Sequence, residues 1–120
     1  MKEYKLAEGE MRFAEVVWDN EPVKSGDLVS ICEEKFNWKK STTYTVLKKL
    51  CLRGILENNN SVVTSLVSKD EYFKCKSEEF VEETFGGSLP KFLAAFMGSK
   101  KLSKKQANEL KELIDRYEEE

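Results

Sequence analysis

The chain contains no histidine, only two prolines and only three cysteines in 120 residues. Without histidine it lacks the commonest general base and the commonest metal ligand. Cys32, Cys51 and Cys75 are widely spaced and odd in number, with no CxxC or CxC pair. That spacing argues against a disulfide framework and against a structural zinc site, and leaves buried thiols as the expectation. No P-loop, GxGxxG or GxSxG run is present, so neither an enzyme nor a bound cofactor is expected. No apolar run approaches the roughly 20 residues of a membrane span, and nothing resembles a signal peptide. The expectation is a cytoplasmic protein without membrane insertion. A chain of this length buries one good core, or one small domain plus an appendage.

One further absence is local. From Phe36 to Leu56 there is no Asp or Glu, although the whole chain has a net charge of −2. The same stretch carries Lys39, Lys40, Lys48, Lys49 and Arg53, while Glu109, Glu112, Asp115 and Glu118 to Glu120 make the C-terminal end acidic. A net charge near zero therefore hides a segregated basic patch, which is what a polyanion would meet.

Placed on a helix starting near Ser41, this stretch has two sides. Thr43, Val46, Leu47, Leu50 and Gly54 form the packing side. Ser41, Thr42, Thr45, Lys48, Lys49 and Leu52 point away, with Tyr44 at the edge. Hydroxyls and amines donate hydrogen bonds to phosphates and base edges, whereas a carboxylate would repel the duplex. This is the profile of a helix that enters the major groove of double-stranded DNA. An ordinary amphipathic helix with a solvated lysine face has the same pattern, so the flanking elements decide between them.

A helix over about Ala7 to Trp18 is predicted from Met11, Ala14, Val17 and Trp18, ending at Asp19-Asn20-Glu21-Pro22. A second runs from Lys24 or Ser25 to Lys35, with Ser25 as N-cap. The lysine-bearing helix follows and stops at Gly54. Ile55 to Glu57 and Ser61 to Leu66 are short and rich in β-branched residues, and Asn58-Asn59-Asn60 between them suits a hairpin turn. Three helices followed by a hairpin is the winged helix-turn-helix order; a small domain with an incidental hairpin is the competing interpretation. Capping-box spacings at Ser68/Glu71 and Ser103/Gln106 open two further helices, Lys69 to Phe85 and one ending near Tyr117, with a short helix from Ser88 to Met97 between them. The expected class is mainly α, with a winged helix-turn-helix domain in residues 1–68 and a three-helix dimerisation domain in residues 69–120. Tyr72, Phe73, Phe80, Phe85, Phe92, Phe96 and Tyr117 give the last three helices more apolar surface than so small a segment can bury. Phe92, Phe96, Leu110, Leu113, Ile114 and Tyr117 are the candidate contacts with a second copy.

The order of elements and the residues resemble the penicillinase repressor family of bacterial transcriptional repressors. The resemblance rests on Glu15-Val16-Val17-Trp18, on the run Trp38-x-x-x-Thr42-x-x-Thr45-x-Leu47-x-x-Leu50-x-x-x-Gly54, on Glu83-Thr84-Phe85-Gly86-Gly87-Ser88, and on the helix from Leu110 to Tyr117. It implies a homodimer on a palindromic operator, with base contacts from Ser41, Thr42, Tyr44 and Thr45 and Lys49 near the backbone. In the antibiotic-resistance branch, release follows cleavage by a sensor-activated protease at a bond that aligns with Ala95-Phe96, where the family has Asn in place of Ala95. The cysteine-rich metal motif of the copper-responsive branch is missing, so no metal site is implied. The wing departs from the family's basic pattern, reading Glu57-Asn58-Asn59-Asn60. Two functions stay open: a repressor, and a winged-helix protein-interaction module that does not read DNA.

Overall fold

The computed structural model describes residues 4–119. Its elements are α1 (Glu8–Asn20), β1 (Val23–Lys24), α2 (Ser25–Phe36), α3 (Lys40–Leu52), β2 (Leu56–Asn59), β3 (Val62–Ser65), α4 (Lys69–Phe85), α5 (Leu89–Met97) and α6 (Lys104–Tyr117). The chain divides into two compact units between Glu79 and Phe80, inside α4.

The first unit has one closed core. Phe13, Val17, Leu28, Cys32, Leu50, Ile55, Leu56 and Val63 are buried there. They come from all three N-terminal helices and from both sides of the hairpin, so the helices and the hairpin share a single apolar interior. Full burial of a Leu- or Phe-sized side chain is worth about 1.5–3 kcal/mol. Trp38 extends the core sideways. Its ring lies over Phe13 at 6.3 Å and beside Phe36 at 5.3 Å.

The hairpin closes differently from the sequence expectation. Asn58 and Asn59 are within β2, where they pair with Val63 and Val62. The turn is Asn60-Ser61, with φ of 51° and 68°. Two consecutive positive φ values give the turn whose twist matches antiparallel strands, and Asn accepts them more readily than most residues. A third strand, β1, pairs antiparallel with β3 through Val23↔Val63 and Lys24↔Val62, so the order is β1-β3-β2. Two residues are too few to show a period of two, which is why periodicity misses β1.

This strand also moves the start of α2. Lys24, extended in β1, is the N-cap and provides no side-chain cap. Ser25 is therefore the first helical residue and not the cap. It is buried, and its N–H donates to the carbonyl of Ser61 at 2.9 Å. The wing turn thereby takes one of the amide donors that the start of α2 leaves without an intrahelical partner. At the end of α3, Arg53 is the C-cap and Gly54 follows with φ of 76°.

Tyr72 and Phe73, expected on the C-terminal apolar face, belong to the first unit. Tyr72 is buried, and the two rings lie 5.6 and 6.4 Å from that of Trp18. The Trp18 indole N–H donates to the Val67 carbonyl at 2.9 Å. The first turns of α4 thus find cover that the sequence pattern did not reveal.

In the second unit, Ser88 and Ser103 cap α5 and α6 by accepting from Lys91 N–H and Gln106 N–H. Phe80, Phe85 and Phe92 meet edge to face, with centroids 5.6–5.9 Å apart. Yet neither α5 nor α6 contains a buried residue.

Candidate nucleic-acid interface

The first unit presents α3 with its two sides as the sequence divides them. Thr43, Leu47 and Leu50 are buried against the core. Ser41, Thr42, Thr45, Lys48 and Lys49 are exposed, as are Lys39 and Lys40 at the helix start. Tyr44 is 37% exposed, and the Lys40 ammonium lies 6.0 Å from the centre of its ring. That contact holds a cation beside an aromatic face that still reaches solvent.

The amino end of α3 is open. Lys39, the N-cap, makes no side-chain cap, and no acid lies in the first turn. The unpaired N–H groups and the positive end of the helix dipole point outward between lysines, an environment that favours anions. Beyond it the hydroxyls are not equivalent. Thr45 Oγ1 donates to the Ser41 carbonyl at 2.8 Å. Its proton is committed to the backbone, so it offers a partner its lone pairs and its methyl group. The Thr42 and Ser41 hydroxyls lie on the same exposed face.

Arg53 is placed differently from the lysines. Its guanidinium pairs with Glu10 at 3.2 Å and also donates to the Lys5 carbonyl. Glu10 in turn accepts from Ala7 N–H at 2.9 Å. Arg53 thus ties the end of α3 to α1 and the segment before it. No spacing in the sequence links Glu10 with Arg53, so only the fold reveals this pair. Leu52 lies on the outward side of α3, as the helix period places it, and is 78% exposed.

The wing is uncharged apart from Glu57, and its tip residues are exposed. It is tied once at its base and once at its turn. The Glu21 carboxylate accepts from Ser65 N–H at 2.9 Å and from Ser65 Oγ at 2.8 Å, and the Ser61 carbonyl accepts from Ser25. Burial pushes the Cys32 and Cys51 thiols above their ordinary pKa, Cys32 against the opposing influence of a hydrogen bond with Thr43. Raised thiols are poor nucleophiles at neutral pH. Among the described residues no group of His, Cys, Asp or Glu could hold a metal ion, and no helix is long and apolar enough to cross a membrane.

In the second unit, Phe96, Leu113, Ile114 and Tyr117 are exposed, by 65, 45, 52 and 75%. Phe92 and Leu110 are half-buried. Ala95 and Phe96 are adjacent and exposed on α5.

Three helices, a three-stranded sheet and an outward helix of lysines and hydroxyls define a winged-helix protein of DNA-binding type. Comparison of the sequence with known families assigns it further. The penicillinase repressor family matches residues 6–116, and the chain belongs to it. Members are DNA-binding regulators and not enzymes, which makes the chain a transcriptional repressor by family. It is 21% identical over 116 residues to the penicillinase repressor of Bacillus licheniformis, covering 93% of this chain and 91% of the relative.

Proposed function

We propose that the chain acts in the cytoplasm as a homodimeric repressor, with residues 1–68 reading a palindromic operator and residues 69–120 joining two copies. The carrying observation is the outward face of α3. Ser41, Thr42, Thr45, Lys48 and Lys49 are all exposed, with no carboxylate among them. Ser41, Thr42, Tyr44 and Thr45 contact bases; Lys39, Lys40, Lys48 and Lys49 neutralise phosphates. Arg53 serves the interface through the position of α3, because its guanidinium is engaged by Glu10.

Four lysines per subunit, if all meet phosphates, give the dimer a slope of log K against log salt of about −7. The test is fluorescence anisotropy on a duplex selected from a random pool by the protein, at several salt concentrations. No binding at low salt would favour the interaction-module reading, for which the acidic wing residue Glu57 and the acidic C-terminal end speak.

For release we propose cleavage between Ala95 and Phe96 by a sensor-activated protease in a β-lactam resistance circuit. The support is that both residues are exposed on the nine-residue α5, which has no buried residue and ends at Gly98. An element with so little burial opens locally at small cost. Full-length protein persisting in β-lactam-treated cells while its target genes are induced would remove this release mechanism.

A further inference from the structure

Between the end of α3, the foot of the wing and the first turn of α4 lies a cavity of about 500 Å³, within the first unit. Ile55, Leu66 and Val67 line one side of it. Ile55 and Val67 are core residues, but Leu66 between strand and core is 55% exposed. The backbone there is largely engaged. The Ile55 carbonyl accepts from the Leu66 and Val67 N–H groups, and the Val67 carbonyl accepts from the Trp18 indole. This side therefore offers apolar contact.

Tyr4, Arg53 and Glu71 line the rest, with one charge of each sign. Glu71 is exposed, and no ion pair among the described residues involves it. Its carboxylate accepts a long hydrogen bond from the Tyr4 hydroxyl, at 3.5 Å. Arg53 gives one N–H to Glu10 and one to the Lys5 carbonyl. A guanidinium has five such donors, so the others remain for a partner.

We infer that this cavity is an effector site for an α-amino acid with an apolar side chain. The ammonium meets Glu71, the carboxylate meets the Arg53 donors that Glu10 and Lys5 leave free, and the side chain lies on Ile55, Leu66 and Val67. The volume is in the range of small-molecule sites, about 300–1,000 Å³. A carboxylic acid without an amine would meet Glu71 and Glu10 as like charges, and an amine without an acid would leave the Arg53 donors unused.

Arg53 is also the C-cap of α3. A ligand bridging Arg53 to Glu71 adds a tie between the end of α3 and the start of α4. The segment before α1 already supplies two such ties, through Lys5 and Tyr4. With α3 held before it meets DNA, less ordering is left for binding to impose, so ligand and operator each tighten the other. That consequence rests on the operator reading; the ligand site does not.

The test is an NMR titration of the full-length chain with leucine, read at the backbone amides without DNA. Leucine saturates at about 1 mM or below, and the amides of Gly54, Ile55, Leu66 and Val67 shift. Leucinamide, which lacks the carboxylate, and N-acetylleucine, which lacks the ammonium, each bind about tenfold or more weakly. Glu71→Gln, at an exposed position, lowers leucine affinity by a similar factor. Saturating leucine tightens binding to the selected duplex about fivefold in anisotropy. No shifts at concentrations far above saturation, or shifts only away from the cavity, would overturn the site. Equal binding of the three ligands would overturn the charge assignment. Leucine that binds but leaves duplex affinity unmoved would overturn the effector role. A chain that takes leucine but no duplex would overturn the operator reading and leave the ligand site standing.

Discussion

Replacing Thr45 by Ala tests the base-reading role of α3 with little risk to the fold. Thr45 is exposed, and its one hydrogen bond runs back to the Ser41 carbonyl at 2.8 Å on the helix surface. Alanine loses that bond but gains helix propensity, so stability should move by no more than about 0.5 kcal/mol. Binding should move more. The Thr45 proton is already committed, so the side chain can accept from an adenine or cytosine amino group, or lay its methyl on a thymine. A single contact of this kind is worth about 1 kcal/mol, at the low end of the range for base discrimination. Two half-sites give about 2 kcal/mol, a loss of about thirtyfold. Thr45→Val and Thr45→Ser identify the group responsible. Valine keeps the methyl and serine keeps the hydroxyl, so one of them should retain the affinity that alanine loses. Anisotropy titrations on the selected duplex and on a random duplex of the same length provide the readout. Equal losses on both duplexes, or no loss for any of the three variants, would refute the assignment.

Lys49→Ala should weaken selected and random duplexes by similar factors and shallow the dimer's salt slope by about 2, one phosphate per subunit; the slope of log K against log salt checks it. Glu21→Ala removes the acceptor of both Ser65 donors and should cost about 1–3 kcal/mol in urea unfolding, with wing amides the first to lose protection in hydrogen exchange. Leu113→Asp places a carboxylate in the apolar face proposed to meet the second copy; sedimentation should show a monomer, and operator affinity should fall as each half-site acts alone. Cys32 is fully buried and its thiol is pushed up by burial. In the folded protein at neutral pH it should therefore stay unmodified by an aromatic disulfide reagent and become reactive only in denaturant, as a thiol count before and after unfolding would show.

The helices were legible because each carries its own signal. The stripes of α1 and α3, the Ser68, Ser88 and Ser103 starts and the glycines after α3 and α4 all act within a few residues. What escaped was set by distant partners. β1 exists because Val23 and Lys24 find β3, and with Lys24 held extended as the N-cap, Ser25 becomes the first helical residue, its N–H taken by the Ser61 carbonyl. Tyr72 and Phe73 leave the C-terminal apolar face because their rings meet Trp18, which helps bury Tyr72. At the candidate site, exposure of the hydroxyls and lysines followed from the helix period alone. The engagement of Arg53 by Glu10, and the commitment of the Thr45 proton, depend on side-chain geometry that composition does not carry.

The two units place different demands on concentration. The first closes a core from its own residues and can hold α3 in place as a single copy. The second leaves Phe96, Ile114 and Tyr117 more than half exposed, and α5 and α6 without one buried residue. Under the proposed function, covering that surface is the same event that brings two reading helices together. Each half-site contact alone is weak, and joining them makes the second contact intramolecular, so affinity for a palindrome rises steeply with association. Any change that keeps that surface from being covered therefore lowers operator occupancy without touching α3. Leu113→Asp and cleavage in α5 should produce the same phenotype: intact half-site recognition, a lost dimer, and repression recovered only when the protein concentration is raised.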